Sequence, residues 1–303
     1  MRTRSVLTGL SALALAVFAC TFPGASPPTP FVFPTANQTL TAIFAPTLET
    51  SASPPTAEPV PTIALTPAGT LPTSPSVTPG TLLSRPNGTP VVASFLAQAP
   101  TVDGDLGEWS STPYSLTQIV YGTSRWSGLA DASAVFYLGW DDTNLYLAAR
   151  VTDEKYVQIS KGSSLYLGDS LEIQLDADLA SDFFVAELSG DDYQIGLSAG
   201  NFGSIAPGAY RWYPSSKSGV PANLVVAGKS TSSGYALEAS IPWSVFAVTP
   251  AEGSRYGFVV SVSDNDAVGT AAQQSLVSSV STRTLFNPTT WGTMVLAGAG
   301  GGS

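Results

Sequence analysis

The sequence predicts an all-β fold, an antiparallel β-sandwich, and three observations predict it. Apolar side chains recur at every second position through most of residues 91–297. Clusters of Gly, Asn, Asp and Ser interrupt these runs at short intervals, as they do between many short strands. No stretch sustains the 3.6-residue period of a long amphipathic helix.

The chain opens differently. Arg2 and Arg4 precede the short apolar run "VLTGLSALALAVF", a charged start and core of the export-signal kind, too short for an ordinary membrane span. The only cysteine, Cys20, follows Ala19 where a bacterial lipoprotein signal is cut. Residues 1–20 are therefore expected to be a lipoprotein signal peptide, with Cys20 lipidated and the protein exported and anchored on the outer, extracellular side of a membrane. One cysteine also excludes an internal disulfide.

Residues 21–90 hold 16 of the 24 prolines, and their only charged residues are Glu49, Glu58 and Arg85. Such a composition cannot bury a core. It predicts a disordered stalk, which at about 3.1 Å per residue would reach on the order of 200 Å when fully extended.

From Val91 the composition changes: all six tryptophans lie beyond this point, with 20 acidic and 9 basic residues. In "SAVFYLGWDDTNLYLAARVTD" an apolar run ends at Trp140, Asp-Asp-Thr-Asn supplies turn chemistry, and Leu145, Leu147, Ala149 and Val151 then share one face. This reads as a hairpin. In "SLYLGDSLEIQLDAD", Leu171, Ile173 and Leu175 alternate with Ser170, Glu172, Gln174 and Asp176, giving a buried face and a face toward solvent or ligand. The segments "DYQIGLSAG", "NLVVAGKST", "GYALEASIPW", "YGFVVSVSD" and "TTWGTMVLAG" repeat the pattern, and residues 298–303 form a loose tail.

Charge and composition narrow the chemistry. The formal net charge is −10 and there is no histidine, which removes Ser-His-Asp and Cys-His nucleophiles and His-ligated zinc or haem. So few basic residues also exclude nucleic acid, whose phosphates need clustered positive charge.

Six phrases, in order, resemble the family 9 carbohydrate-binding modules, which belong to a wider group of DOMON-like β-sandwiches. They are "TVDGDLGEW", "YLGWDDTNLYLAARVTD", "LYLGDSLEIQLDAD", "GYALEASIPW", "GFVVSVSDNDA" and "NPTTWGTMVL", and they span nearly all of the folded region. The resemblance implies non-catalytic binding of a polysaccharide or glycan, by stacking a sugar ring on aromatics while polar side chains bond its hydroxyls. Pyranose C–H faces stack on aromatic surfaces, and a carboxylate accepts charge-assisted bonds from hydroxyls.

Carried over residue by residue, the stacking aromatic falls on Tyr166, the carboxylate on Glu172, and a residue of the same groove on Gln194, where the family can carry a basic side chain. The second aromatic falls within "STRTLFNP": Phe286 is the nearest ring, while the closer alignment names Leu285. Trp212 and Tyr213 are alternative stacking surfaces, with Arg211 or Arg283 reaching a hydroxyl. Ser261 stands where some relatives carry an amide. Of the other acids in the quoted strand, Asp169 is expected to shape the turn, and Asp176 and Asp178 to lie at its wet end. Trp109, Trp140, Trp243 and Trp291 read as packing anchors.

Relatives in the family hold structural calcium, and hard cations need several oxygens at once. Asp103, Asp105 and Glu108 are the first candidates. Asp141 with Asp142, and Asp264 with Asp266, offer further acidic loops, although Asp and Asn also favour turns for backbone reasons alone. Three other classes compete with sugar binding. A glycoside hydrolase needs two carboxyl groups about 5–9.5 Å apart across a cleft, which Asp169, Glu172 and Asp176 could supply along a strand. Haem binding has only Met1 and Met294 as axial candidates. A surface adhesion or scaffolding module would keep the fold and lose the groove.

Overall fold

The computed structural model describes residues 83–299. The expected signal peptide, Cys20, most of the expected stalk and the end of the tail lie outside the described residues. Among those described, no α-helix occurs, and no helix is long and apolar enough to cross a membrane.

The fold is all-β. Its strands are β1 (Val91–Phe95), β2 (Tyr114–Leu116), β3 (Gln118–Tyr121), β4 (Ala132–Trp140), β5 (Asn144–Asp153), β6 (Ser170–Asp176) and β7 (Asp192–Ser198). They continue with β8 (Gly208–Tyr213), β9 (Val225–Thr231), β10 (Gly234–Pro242), β11 (Arg255–Asp264), β12 (Ser275–Ser278) and β13 (Gly292–Ala297). Hydrogen bonds link them in the order β8-β7-β6-β11-β13-β1-β4-β5-β10-β9, with β12 joining β11 to β3 and β2 lying on β4.

Pairing is antiparallel except at β1, which runs parallel to both β13 and β4. That corrects the expectation of a wholly antiparallel sheet. The reason is connectivity: β13 ends the ladder in sequence and a long segment separates β1 from β4, and parallel neighbours need such long connections. The two ends of the ladder come close together. A Cβ on Gly228 of β9 would meet the Cβ of Ala199, just beyond β7, at 2.5 Å, so glycine is required for this approach.

The predicted hairpin is β4–β5, in register from Ala132 opposite Asp153 to Trp140 opposite Leu145. Its turn is held by Asp141, whose Oδ1 accepts from the amides of Thr143 and Asn144, each at 2.7 Å, while Oδ2 accepts from the Tyr146 hydroxyl at 2.8 Å. One apolar core then draws on both halves of the ladder: Phe136, Leu147 and Leu237 from one, Ile173, Ile195 and Val260 from the other, all fully buried. Each such side chain stabilises the fold by about 1.5–3 kcal/mol relative to exposure.

The anchor tryptophans use their indole N–H as well as their area. Trp140 donates to the Ala297 carbonyl (2.8 Å), Trp243 to that of Asp141 (2.9 Å) and Trp291 to that of Thr284 (3.0 Å). Trp109 donates to Glu238 Oε1 at 2.7 Å, and Glu238 Oε2 also accepts the amides of Asp103 and Gly104. This buried carboxylate on β10 thus fixes the "VDGDLGEW" loop. Gly104, at φ +84°, sits against the Gly228 backbone, where a side chain would clash.

Two expectations are corrected. The polar face of β6 does not meet water: Ser170, Glu172, Gln174 and Asp176 are all at most 4% exposed. Segments before β13 and before β1 cover that face. Asp176 is accordingly not at a wet strand end; its Oδ2 accepts from Arg85 Nη2 at 2.7 Å. Asp178 is exposed, as expected, and its carboxylate engages Ser181. The folded unit also begins before Val91. Arg85, counted with the stalk in the sequence reading, is 2% exposed and its amide donates to Thr293, while the Asn87 side chain donates to the carbonyls of Thr289 and Trp291.

Candidate carbohydrate-binding groove

β6, β7 and β8 lie side by side, and their covered face opens into a cavity of about 350 Å³, within the range of small-molecule sites. All five residues expected at the site line it: Tyr166, Glu172, Gln194, Trp212 and Phe286. Tyr213, Arg283 and Leu285, named as alternatives, line it as well. Gln273 and Leu276 complete the lining and were not foreseen.

Local sequence explains how these side chains converge. Glu172 on β6 stands directly opposite Gly196 on β7, so both point to one face. A Cβ at Gly196 would come within 2.3 Å of the Trp212 ring. Glycine there lets the indole lie across β7. Trp212 is fixed further by its N–H, which donates to the Ser163 carbonyl at 2.8 Å, and by Tyr166, whose ring meets it edge-on at 5.9 Å. Tyr166 stays about one-third exposed, and its carbonyl accepts from Ser263 Oγ at 2.8 Å. The aromatic wall is therefore rigid on its covered side and open on the other.

The polar floor is ionic. Glu172 Oε2 accepts from Arg283 Nη2 at 2.9 Å and, more weakly, from Gln194 Nε2 at 3.4 Å. Arg283 Nε donates to Gln174 Oε1 at 2.8 Å, and Gln174 Nε2 donates to the Leu285 carbonyl at the same distance. Burial lowers the Arg283 pKa and Glu172 opposes that shift. Among the described residues, Glu172 Oε1 and Arg283 Nη1 carry no protein hydrogen bond and are not sealed from solvent. One acceptor and one donor are thus left to a ligand beside the aromatic wall.

Gln194 stands where the family can carry a basic side chain, and here the guanidinium comes from the loop before β13. Arg211, the other candidate, is elsewhere; it donates to the carbonyls of Lys217 and Val245. Ser261 faces Glu172 in register but is 1% exposed and does not line the cavity. Phe286 is 68% exposed at the rim. A larger cavity of about 720 Å³, near Lys161 and Pro207, has no aromatic or acidic lining.

Asp169 shapes the turn as expected. Its Oδ2 accepts from the Val157 amide and its Oδ1 from the Asn265 amide (2.9 Å), while burial, with the charge of Asp153, pushes its pKa up to about 9.

The first calcium candidates are not brought together. Glu108 accepts the Thr101 amide, Asp105 accepts the Gly107 amide, and Asp103 and Asp105 lie 3.5 and 3.9 Å from Lys229 Nζ. Their turn chemistry and this lysine account for them. Carboxylates gather elsewhere among the described residues: Asp131 with Asp264 and Asp266, Asp153 with Glu154 and Asp266, and Asp176 with Asp182 and Asp191.

Comparison with known proteins decides the family. The profile described as "Carbohydrate family 9 binding domain-like" matches residues 102–299. The chain belongs to this family. A family 9 carbohydrate-binding module from Caldicellulosiruptor kristjanssonii, solved with cellotriose, is 22% identical at a TM-score of 0.54, covering 70% of this chain and 96% of that one. Its glucose complex is 23% identical, also at 0.54, with 70% and 98% covered. A candidate carbohydrate-binding protein from Bacteroides uniformis matches at 10% identity and a TM-score of 0.50, over 69% and 100%. No curated protein matches the chain. At these identities the neighbours establish the fold of the family 9 module, and its groove is read from its own residues.

Proposed function

We infer that this family 9 module captures a polysaccharide or glycan reversibly in the groove of Tyr166, Glu172, Gln194, Trp212, Arg283 and Phe286, without cleaving it. The observation that carries the reading is the free Oε1 of Glu172 and free Nη1 of Arg283 beside the Tyr166–Trp212 wall. A sugar stacked on that wall presents hydroxyls that can donate to the carboxylate and accept from the guanidinium. That the matched Caldicellulosiruptor module was solved with cellotriose and with glucose supports a gluco-configured ring as the first ligand to try.

Binding without cleavage follows from the acid inventory of the groove. Glu172 is the only carboxylate in its lining, whereas glycosidases place two across the substrate. Asp169 and Asp176, the other candidates, are occupied by backbone amides and by Arg85. In this reading the two halves of the ladder form the layers of a sandwich, and the groove lies on the outer face of one. Export, lipidation at Cys20 and the Pro-rich stalk would hold the module away from a membrane on the extracellular side.

With one stacking wall and a few charge-assisted bonds, single-site dissociation constants should fall between about 1 µM and 1 mM. The test is a glycan array followed by titration calorimetry with the intact chain, Tyr166→Ala and Glu172→Ala. We expect affinity to fall about two- to tenfold for Tyr166→Ala, since stacking contributes about 0.5–1.5 kcal/mol, and at least about tenfold for Glu172→Ala, since a charged hydrogen bond contributes about 1.5–3. Unchanged binding in both variants would reject the groove. Released oligosaccharide would favour the hydrolase. An array with no response would favour the adhesion or scaffolding module.

A further inference from the structure

β4, β5 and β10 turn a second face away from the apolar core. Leu147 and Leu237 point into that core. Their neighbours Ala148 and Glu238, which stand opposite each other, therefore point outward, as does Tyr137, opposite Ala148 on β4. The small Ala148 and Ala236 leave room for Leu106, and Trp109 and Tyr137 pack around the same contact. The "VDGDLGEW" loop is thereby seated on this outer face, with the Trp109 indole held by Glu238 and its ring 6.0 Å from that of Tyr137. Two positions farther along β4, Gly139 accommodates Leu96: a Cβ there would meet Leu96 Cδ1 at 2.4 Å. The Leu96 amide also donates to the Trp140 carbonyl at 2.8 Å.

Leu96 and Trp109 are walls of a cavity of about 280 Å³, on the half of the ladder that does not carry the groove. Gln98, Thr101 and Glu108 line it too. Glu108 Oε1 accepts the Thr101 amide at 3.0 Å, which ties the two sides of the cavity together. Among the described residues, Glu108 Oε2, the Gln98 side-chain amide and the Thr101 hydroxyl have no protein hydrogen bond, and all three residues are exposed. Trp109 is half-buried and its N–H is already used, so it offers the cavity only ring surface. The lining repeats the chemistry of the groove, a fixed ring beside a carboxylate and a side-chain amide, with no residue in common.

We propose that this cavity is a second glycan site, which takes one neutral pyranose ring. The C–H face of the sugar stacks on the Trp109 ring, while its hydroxyls donate to Glu108 Oε2 and bond the free groups of Gln98 and Thr101. Anionic sugars are disfavoured, because the lining holds Glu108 and no Lys or Arg. An organic cation is served less well, because one ring is not an aromatic cage and two of the three free polar groups are uncharged. A chain with both sites would hold two strands of a polysaccharide, or two points of one, and retain it more tightly than either site alone. That consequence rests on the groove; the site itself does not.

The experiment follows the indole N–H signals of the six tryptophans by NMR on the intact chain, titrated with glucose, galactose, mannose, xylose and cellotriose, and with choline chloride as the comparison cation. A neutral sugar should move the Trp109 signal saturably, and should do so equally in Glu172→Ala, which silences the groove. Gln98→Ala and Glu108→Gln should each raise the sugar concentration at half-saturation of Trp109 about two- to tenfold, the range of one hydrogen bond, and leave that of Trp212 in place. Glutamine at 108 still accepts the Thr101 amide, and the Gln98 side chain bonds nothing in the fold, so neither loss is one of folding. A Trp109 response with a silent Trp212 would keep this site and reject the groove. No movement of Trp109 with any of the sugars would overturn the proposal. So would movement that both substitutions leave unchanged, movement that Glu172→Ala abolishes, or movement caused by choline alone.

Discussion

Glu172 and Asp264 sit on adjacent strands, β6 and β11, and both are at least 96% buried. Their surroundings are opposite. Glu172 meets the guanidinium of Arg283 and the amide of Gln194, whereas Asp264 meets one hydroxyl and a ring of other acids. Burial pushes the Asp264 pKa up to about 7, and the charges of Asp266, Asp131 and Asp153 add to it. The difference teaches what each face can accept. Where the chain supplies its own cation, the remaining oxygen and N–H are left for a neutral polar ligand. Where it supplies none, as at Asp264, burial and the neighbouring acids favour the protonated carboxyl. Asp176 shows the first solution again with a different arginine, Arg85, brought from the segment before β1.

The largest expected effect tests whether Arg283 is what makes Glu172 tolerable. Arg283→Met should lower stability by roughly 3–5 kcal/mol, the usual effect of stranding one member of a buried ion pair, and should remove sugar binding. Urea unfolding measures the first and calorimetry the second. Adding Glu172→Gln should restore most of the stability, since no buried charge then remains, without restoring affinity. A stable single variant would erase the contrast between Glu172 and Asp264.

A smaller effect sharpens the contrast at the third acidic group. Asp192 is fully buried with Oδ1 unpartnered, and burial pushes its pKa up to about 7; the Ser189 amide opposes this, and Asp176, Asp182 and Asp191 reinforce it. Arg85 is the cation facing the same group. The folded chain therefore holds a proton that the unfolded chain has released between the ordinary value of 3.8 and about 7. Stability should rise as pH falls from 7 toward 5, by up to about 1.4 kcal/mol per pH unit from this residue. Asp192→Asn, which keeps an oxygen for the Ser189 amide, should flatten that slope in urea unfolding at pH 5 to 8. A slope unchanged by the substitution would move the proton to another acid.

What was legible in the sequence is what local pattern encodes. The β4–β5 hairpin was readable because its period-two runs and the Asp141 turn are contiguous. The candidate groove was partly legible because the family resemblance carried over Tyr166, Glu172 and Gln194 and left Phe286 and Trp212 as rings for a second wall, and all five line one cavity. Long-range pairing leaves no such trace. Arg85 reaches Asp176 across 91 positions and Arg283 reaches Glu172 across 111, so composition put the first with the stalk and left the second as one of two arginines. Alternation alone marked Asp176 as wet, because it distinguishes two strand faces without saying what covers the second. Glu238 lies within "GYALEASIPW", but nothing local marks its partner, and it holds the loop to which Asp103 and Asp105 belong. The acids that do converge come from three segments, and the one with Asp264 and Asp266 lies more than 100 positions beyond the other two, a juxtaposition only the sheet creates.

The smallest effect decides which residue forms the far wall of the groove, where ring proximity named Phe286 and alignment named Leu285. Phe286 is 68% exposed, so Phe286→Ala should change stability by no more than about 0.5 kcal/mol. If its ring stacks on the sugar, affinity should still fall by about two- to tenfold, matching a stacking contribution of roughly 0.5–1.5 kcal/mol. Leu285 is half-buried and its carbonyl is already held by Gln174, so Leu285→Ala keeps the backbone in place and removes only an aliphatic contact. Calorimetry on the two variants separates them: a larger loss for Phe286→Ala makes the exposed ring the second wall. A larger loss for Leu285→Ala means that the groove grips one sugar face with aromatics and the other with an aliphatic side chain, and that its specificity rests on the Glu172–Arg283 floor.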